Sequence, residues 1–211
     1  MAESQAEQLE ALVAERARSL GDAHADTLSA MLDLAEALWA EGRLHRARQL
    51  EEAVVAGRRA LFGETHPDTL KALGKLAVSI GQLGDLAEAR RLQEDVVAGM
   101  RALHGAEGRD TLRAINNLAG TVAAIGDMAN ARAMLEDTIA TLARLFGADD
   151  GDALTSMANL AALLWQEGDR DEAYLLQERV AEALRQTRGA DDPAACHAQA
   201  VLESMLHEFG F

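Results

Sequence analysis

The stretch HPDTLKALGKLAVSIGQLGD, residues 66–85, begins with a helix start and ends with a helix stop. Pro67 suits the first position of a helix, and Asp68 sits near its positive end. Leu70, Leu73, Ala77 and Ile80 follow at helical spacing, flanked by Leu76. Gly84 ends the pattern, and Asp85 can cap a second helix over about Leu86 to Leu103, whose apolar stripe is Ala89, Leu92, Val96 and Val97. Gly105 closes that helix. The stretch is therefore the first half of a helix pair.

The same text recurs with a fixed period, which is the signature of a repeat architecture. Asp26, Asp68, Asp110 and Asp152 are each 42 residues apart. Leu28, Leu70, Leu112 and Leu154 keep that spacing, as do the Leu-Ala pairs beginning at Leu34, Leu76, Leu118 and Leu160. Two glycine series share it: Gly42, Gly84, Gly126 and Gly168, and Gly21, Gly63, Gly105, Gly147 and Gly189. So do Ala47, Ala89, Ala131 and Ala173, small residues that let the second helix of each pair approach the first. Neither helix can bury its stripe alone, so the pairs must stack, and the fold class is all-α, an α-solenoid. The expected organisation is one domain over 1–211: a half repeat at 1–21, full repeats at 22–63, 64–105, 106–147 and 148–189, and a capping helix within 190–211. That makes about ten helices. Gln199 and Glu203, polar at repeat-core positions of the last helix, mark it as a cap.

Composition narrows the function. The net charge is −15, which speaks against nucleic-acid binding and against attachment to anionic lipid. No apolar run is long enough to span a membrane. The start, MAESQAEQLEALVAERARSL, is charged and amphipathic, unlike a signal peptide. Cys196 is the only cysteine, which fits a reducing compartment, so a cytoplasmic location is expected. Both lysines, Lys71 and Lys75, lie in the quoted stretch. With an excess of Arg and Ala this points to a GC-rich, bacterial coding bias.

Leu-Ala in the first helix (helix A), Gly-Asp at the turn and Ala early in the second (helix B) resemble the tetratricopeptide repeat. The 42-residue period, with GETHPDTL and INNLAGTVAAIGDMANA, is similar to the kinesin light chain subclass. The first unit lacks the proline, reading Ala25, and the fourth reads DDGDALTSMANLA, where His-Pro is lost. The resemblance implies a right-handed superhelix whose A helices line an open concave groove, and a peptide or helix of another protein bound in that groove.

With Leu28, Met31, Leu34, Ala35 and Leu38 and their equivalents assigned to the core, the opposite face of helix A supplies the candidate surface. Its columns include Lys71 and Arg113, Gly74 and Asn116, and Gly120. Trp39, Gly81 and Trp165 form another, and Gln82 and Gln166 the last. Lys71 and Arg113 can hold a partner carboxylate. Asn116 and Asn117 can hydrogen-bond a ligand backbone, as the resemblance implies. Gly74, Gly81 and Gly120 let a ligand come close, and Trp39 and Trp165 offer large anchors.

No motif for chemistry is present. CxxC, HExxH, GxxxxGK[ST] and GxSxG are all missing, and the carboxylates fall on repeat columns or in turns. Neither catalysis, a cofactor nor a metal is expected. The reading is an interaction scaffold or adaptor. The alternatives are a structural module that forms homo-oligomers and a sensor of a small ligand or signal peptide.

Overall fold

The computed structural model describes residues 4–209, which form ten α-helices and, among the described residues, no strand. The chain divides into two compact units, Met1–Ala106 and Glu107–Phe211. The first holds α1 (Gln5–Leu20), α2 (Ala25–Ala40), α3 (Leu44–Phe62), α4 (Pro67–Gln82) and α5 (Leu86–His104). The second holds α6 (Arg109–Ala124), α7 (Met128–Phe146), α8 (Gly151–Glu167), α9 (Arg170–Arg188) and α10 (Pro193–Phe209). Within each unit every helix packs on the next in sequence, the local stacking that a repeat architecture requires.

The helix ends follow the sequence. The nine glycines of the two series are the only described residues with positive φ, and Gly168, at φ 94°, caps α8 in the left-handed conformation. Asp85 accepts from the Glu88 amide at 3.1 Å and caps α5. His24 and His66 are helix caps as well: each Nδ1 accepts the amide two residues on, at 3.2 Å. Asp150 does the same for α8.

In the first unit Ala6, Leu34, Ala35, Ala37, Leu38 and Ala47 form one core cluster. In the second, Leu154, Met157, Val180 and Leu184 pack with Ala195, Ala198 and Leu202 of α10. The small column Ala47, Ala89, Ala131 and Ala173 is fully buried throughout. One core column needs correction. Met31 and Ile115 are only half-buried, and in each case the next residue, Leu32 or Asn116, is the buried one.

Two features of the packing were not read from the sequence. Thr27, Thr69 and Thr111 are buried at the start of three A helices, and the Thr27 hydroxyl donates to the Gly21 carbonyl at 2.8 Å, pinning the turn that precedes α2. Gly57 of α3 and Gly99 of α5 face Leu28 and Leu70. A Cβ at either position would lie within 2.8 Å of a leucine methyl. The 42-residue spacing of both sets was the available signal. Gln199 and Glu203 of α10 are exposed and hydrogen-bond each other at 3.0 Å.

Candidate functional site

The A helices carry an exposed stripe opposite the face that packs on helix B. In the second unit this stripe is built by α6 and α8, which touch directly. Asp110 and Asp152 begin the two helices where an acidic side chain meets the positive end of the helix dipole. The helical period then sets Arg113, Asn116, Asn117 and Gly120 of α6 beside Thr155, Asn159 and Ala162 of α8.

A depression of about 230 Å³ lies on this face, lined by Leu112, Arg113, Asn116, Asn117, Leu142, Asp152, Thr155 and Ser156. Its floor is apolar, from Leu112 and Leu142, and its mouth is polar. Asn116 is 8% exposed, and its side-chain oxygen accepts from Asn159 Nδ2 at 3.1 Å, which fixes the amide. Asn117 is exposed and makes no side-chain hydrogen bond among the described residues, so both its donor and its acceptor face solvent. Thr155 and Ser156 bond back to their own helix, at the carbonyls of Gly151 and Asp152.

An ion network closes the amino-terminal end of this face. Arg109 of α6 holds Asp150 with two parallel hydrogen bonds of 3.2 and 3.0 Å and also reaches Asp152. Its guanidinium lies 3.9 Å over the Phe146 ring. Arg113 Nε donates to Asp152 Oδ1 at 2.7 Å. Partial burial pushes the Asp150 carboxyl up. The Arg109 hydrogen bond, the amides of Asp152 and Ala153 and the Arg109 charge outweigh it, leaving Asp150 below its ordinary value.

The structure distributes the other nominated residues as follows. Gly120 is exposed on α6, and nothing lies within 4 Å of where its Cβ would be. Trp165 is half-buried under the Arg170 guanidinium, 5.2 Å from the ring centre, and Gln166 beside it is exposed. Five nominees belong to the first unit. Lys71 and Gln82 are exposed on α4, Trp39 is 41% exposed on α2, and Gly74 and Gly81 are half-buried. A Cβ on Gly81 would meet Ala89 of α5 at 3.4 Å, an ordinary packing contact, so this position faces α5. Lys75, which was not nominated, bridges from α4 to Glu36 of α2 at 2.7 Å. The nominated cation Arg113 is already paired within its own unit. Of the carboxylates that hold the arginines, Asp152 is legible in the sequence only as one of a repeat column, and Asp150 carries no signal of its own there.

Among the described residues no cluster of three or more His, Cys, Asp or Glu side chains is placed to hold a metal ion, and no helix is long and apolar enough to cross a membrane.

Family models described as tetratricopeptide repeat match residues 27–68, 68–144 and 110–186. No curated protein matches the chain. Among solved structures, the nearly identical TPR-like repeats of a kinesin light chain-like protein from Podosopora anserina are 31% identical. They cover 87% of this chain and 87% of that one, with a TM-score of 0.65. BtubC (BKLC) from P. vanneervenii is 19% identical over 96% of this chain and 84% of its own, with a TM-score of 0.71. A Rap protein complexed with competence and sporulation factor is 12% identical over 95% of this chain and 58% of its own, also at 0.71. The last two likenesses are of fold alone. The period, the helix pairs and the matched models agree: the chain belongs to the tetratricopeptide-repeat family, in its kinesin light chain-like subclass.

Proposed function

We propose that this chain is a protein–protein interaction scaffold that holds an extended segment of a partner protein against its A-helix face. The observation that carries the reading is the depression between α6 and α8, which gathers Arg113, Asn116 and Asn117 at one mouth. Asn117 offers an amide whose donor and acceptor can pair with one peptide unit of an extended chain, as one strand pairs with another. Gly120, one turn further along α6, leaves room for that chain to lie close. The apolar floor of Leu112 and Leu142 suits a small aliphatic side chain of the ligand. Asn116 and the arginines are fixed by Asn159, Asp150 and Asp152 before any ligand arrives, so little ordering entropy is lost on binding. The Rap protein, which shares the fold, was solved in complex with competence and sporulation factor, an example of the architecture holding a partner.

Reversing Arg113 would break its bond to Asp152, so Asn117→Ala is the cleaner probe. Peptides selected by the wild-type chain from a displayed random library should bind Asn117→Ala about 3- to 10-fold more weakly, the worth of one or two neutral hydrogen bonds. Equal binding by both proteins would remove this face from the account.

A further inference from the structure

We infer that Glu51 of α3 is carried as a neutral carboxylic acid that donates a hydrogen bond to α4, making the α3–α4 joint sensitive to pH. Glu51 is only 5% exposed, and its Oε2 has no hydrogen-bond partner. A carboxylate oxygen that is buried and unpaired is costly, because an ionised group accepts only and cannot answer an acceptor opposite it.

The repeat supplies the missing partner. Positions 42 residues apart are equivalent, and the Glu51 column continues with Gln93, Leu135 and Gln177, all buried. In the second unit Gln177 Nε2 donates to the backbone carbonyl of Ala198, 21 residues on, at 2.9 Å. The residue 21 on from Glu51 is Ala72 of α4. At Gln177 the amide N–H fills this role, whereas Gln93 keeps a buried Oε1 with no partner. A glutamate can fill the role only if it keeps its proton, and a protonated Oε2 would then have the Ala72 carbonyl to donate to. The column thus uses neutral side chains at every buried position, and Glu51 conforms by staying protonated.

The surrounding charges leave burial in command. α3 packs on α2 and α4. Desolvation raises the Glu51 carboxyl above the ordinary value of 4.5, the Ser79 hydroxyl and Lys75 of α4 draw it down, and Glu52 on α3 itself pushes it up. Lys75 is itself paired with Glu36 of α2, and among the groups just named no charged group of α2 acts on Glu51 directly. The net direction is up.

Proton linkage gives the sign. A carboxyl whose folded value is raised keeps a proton that the unfolded chain releases. Its contribution is therefore complete below 4.5 and is lost as pH rises from there through the folded value. Glu51→Gln mimics the protonated side chain and reproduces a residue the column already uses at Gln93 and Gln177. Urea denaturation of both proteins across a pH series tests the inference. The folding constant of Glu51→Gln relative to wild type should rise above pH 4.5 by up to about tenfold per pH unit, then level off once Glu51 ionises. A ratio that stays flat across the series would overturn it. An infrared spectrum in the same window should show a carboxylic-acid carbonyl band in the wild type that is absent from Glu51→Gln, and identical spectra would also overturn it. Glu51→Leu, the residue type of Leu135, should lose the same pH dependence.

Discussion

Arg113 on α6 donates through Nε to Asp152 on α8 at 2.7 Å, so the side chain that the sequence offered to a partner's carboxylate already holds one of the chain's own. Asp152 also receives Arg109, and each arginine reaches one of its two oxygens. Removing this carboxylate leaves two guanidinium groups side by side. Asp152→Ala should cost about 1 kcal/mol, a modest figure because Arg113 remains half-exposed and screened by solvent. The urea midpoint measures it. The loss should shrink at high salt, as an electrostatic contribution must.

Asp150 predicts a pH dependence with the opposite sign to that of Glu51. Its folded value lies below the ordinary 3.8, so its stabilisation is fully present above 3.8 and is lost as pH falls through the lower folded value. Asp150→Asn keeps a side chain able to cap α8 but loses the charge that Arg109 holds. The variant should be less stable than wild type at neutral pH, and the gap should close in strong acid. Denaturation midpoints of the two proteins at neutral pH and below 3.8 check this.

Two glycines inside helices should respond in opposite directions. Gly120 has open space around it, so Gly120→Ala should stabilise by about 1 kcal/mol from helix propensity alone. Gly99 faces the buried Leu70, and an added Cβ would stand 2.7 Å from one of its methyls. Overpacking of this kind costs about 1–3 kcal/mol, more than propensity returns, so Gly99→Ala should lower the thermal midpoint. On the functional reading, Gly120→Ala should also weaken peptide binding while it stabilises the fold.

The two tryptophans occupy equivalent repeat positions in unlike surroundings. Trp39 is 41% exposed, whereas Trp165 is half-buried beneath Arg170. Acrylamide should quench the Trp165→Phe protein, which retains Trp39, more efficiently than the Trp39→Phe protein.

The fold was legible because the period carries it. Turn glycines, Leu-Ala pairs and small residues recur every 42 positions, and each column has one physical job in every repeat. The helix faces were legible to within a residue, and the exchange of Met31 for Leu32 shows the limit. A helix face is about 100° wide, and its edge residues are decided by which neighbour fills the gap. The site was legible as a face and less so as chemistry. Asn116 and Asn117 do line the depression, but the pairing of Arg113 with Asp152 joins residues 39 apart. That offset is set by how consecutive A helices pack side by side, which spacing along one helix does not encode. The jobs of Gly57 and Gly99 were hidden for the same reason, since a helical glycine shows its purpose only with its leucine opposite.

The most direct measurement is site-specific photo-crosslinking inside cells that make the protein, with the photoreactive residue placed at Asn117 on α6 or, as the control, at Arg91. Arg91 lies on the exposed outer face of α5, held by Glu88 and Asp95. The account predicts a crosslinked partner from position 117 and none from position 91. A partner captured from position 91 and not from position 117 would contradict it and move binding to the helix B face.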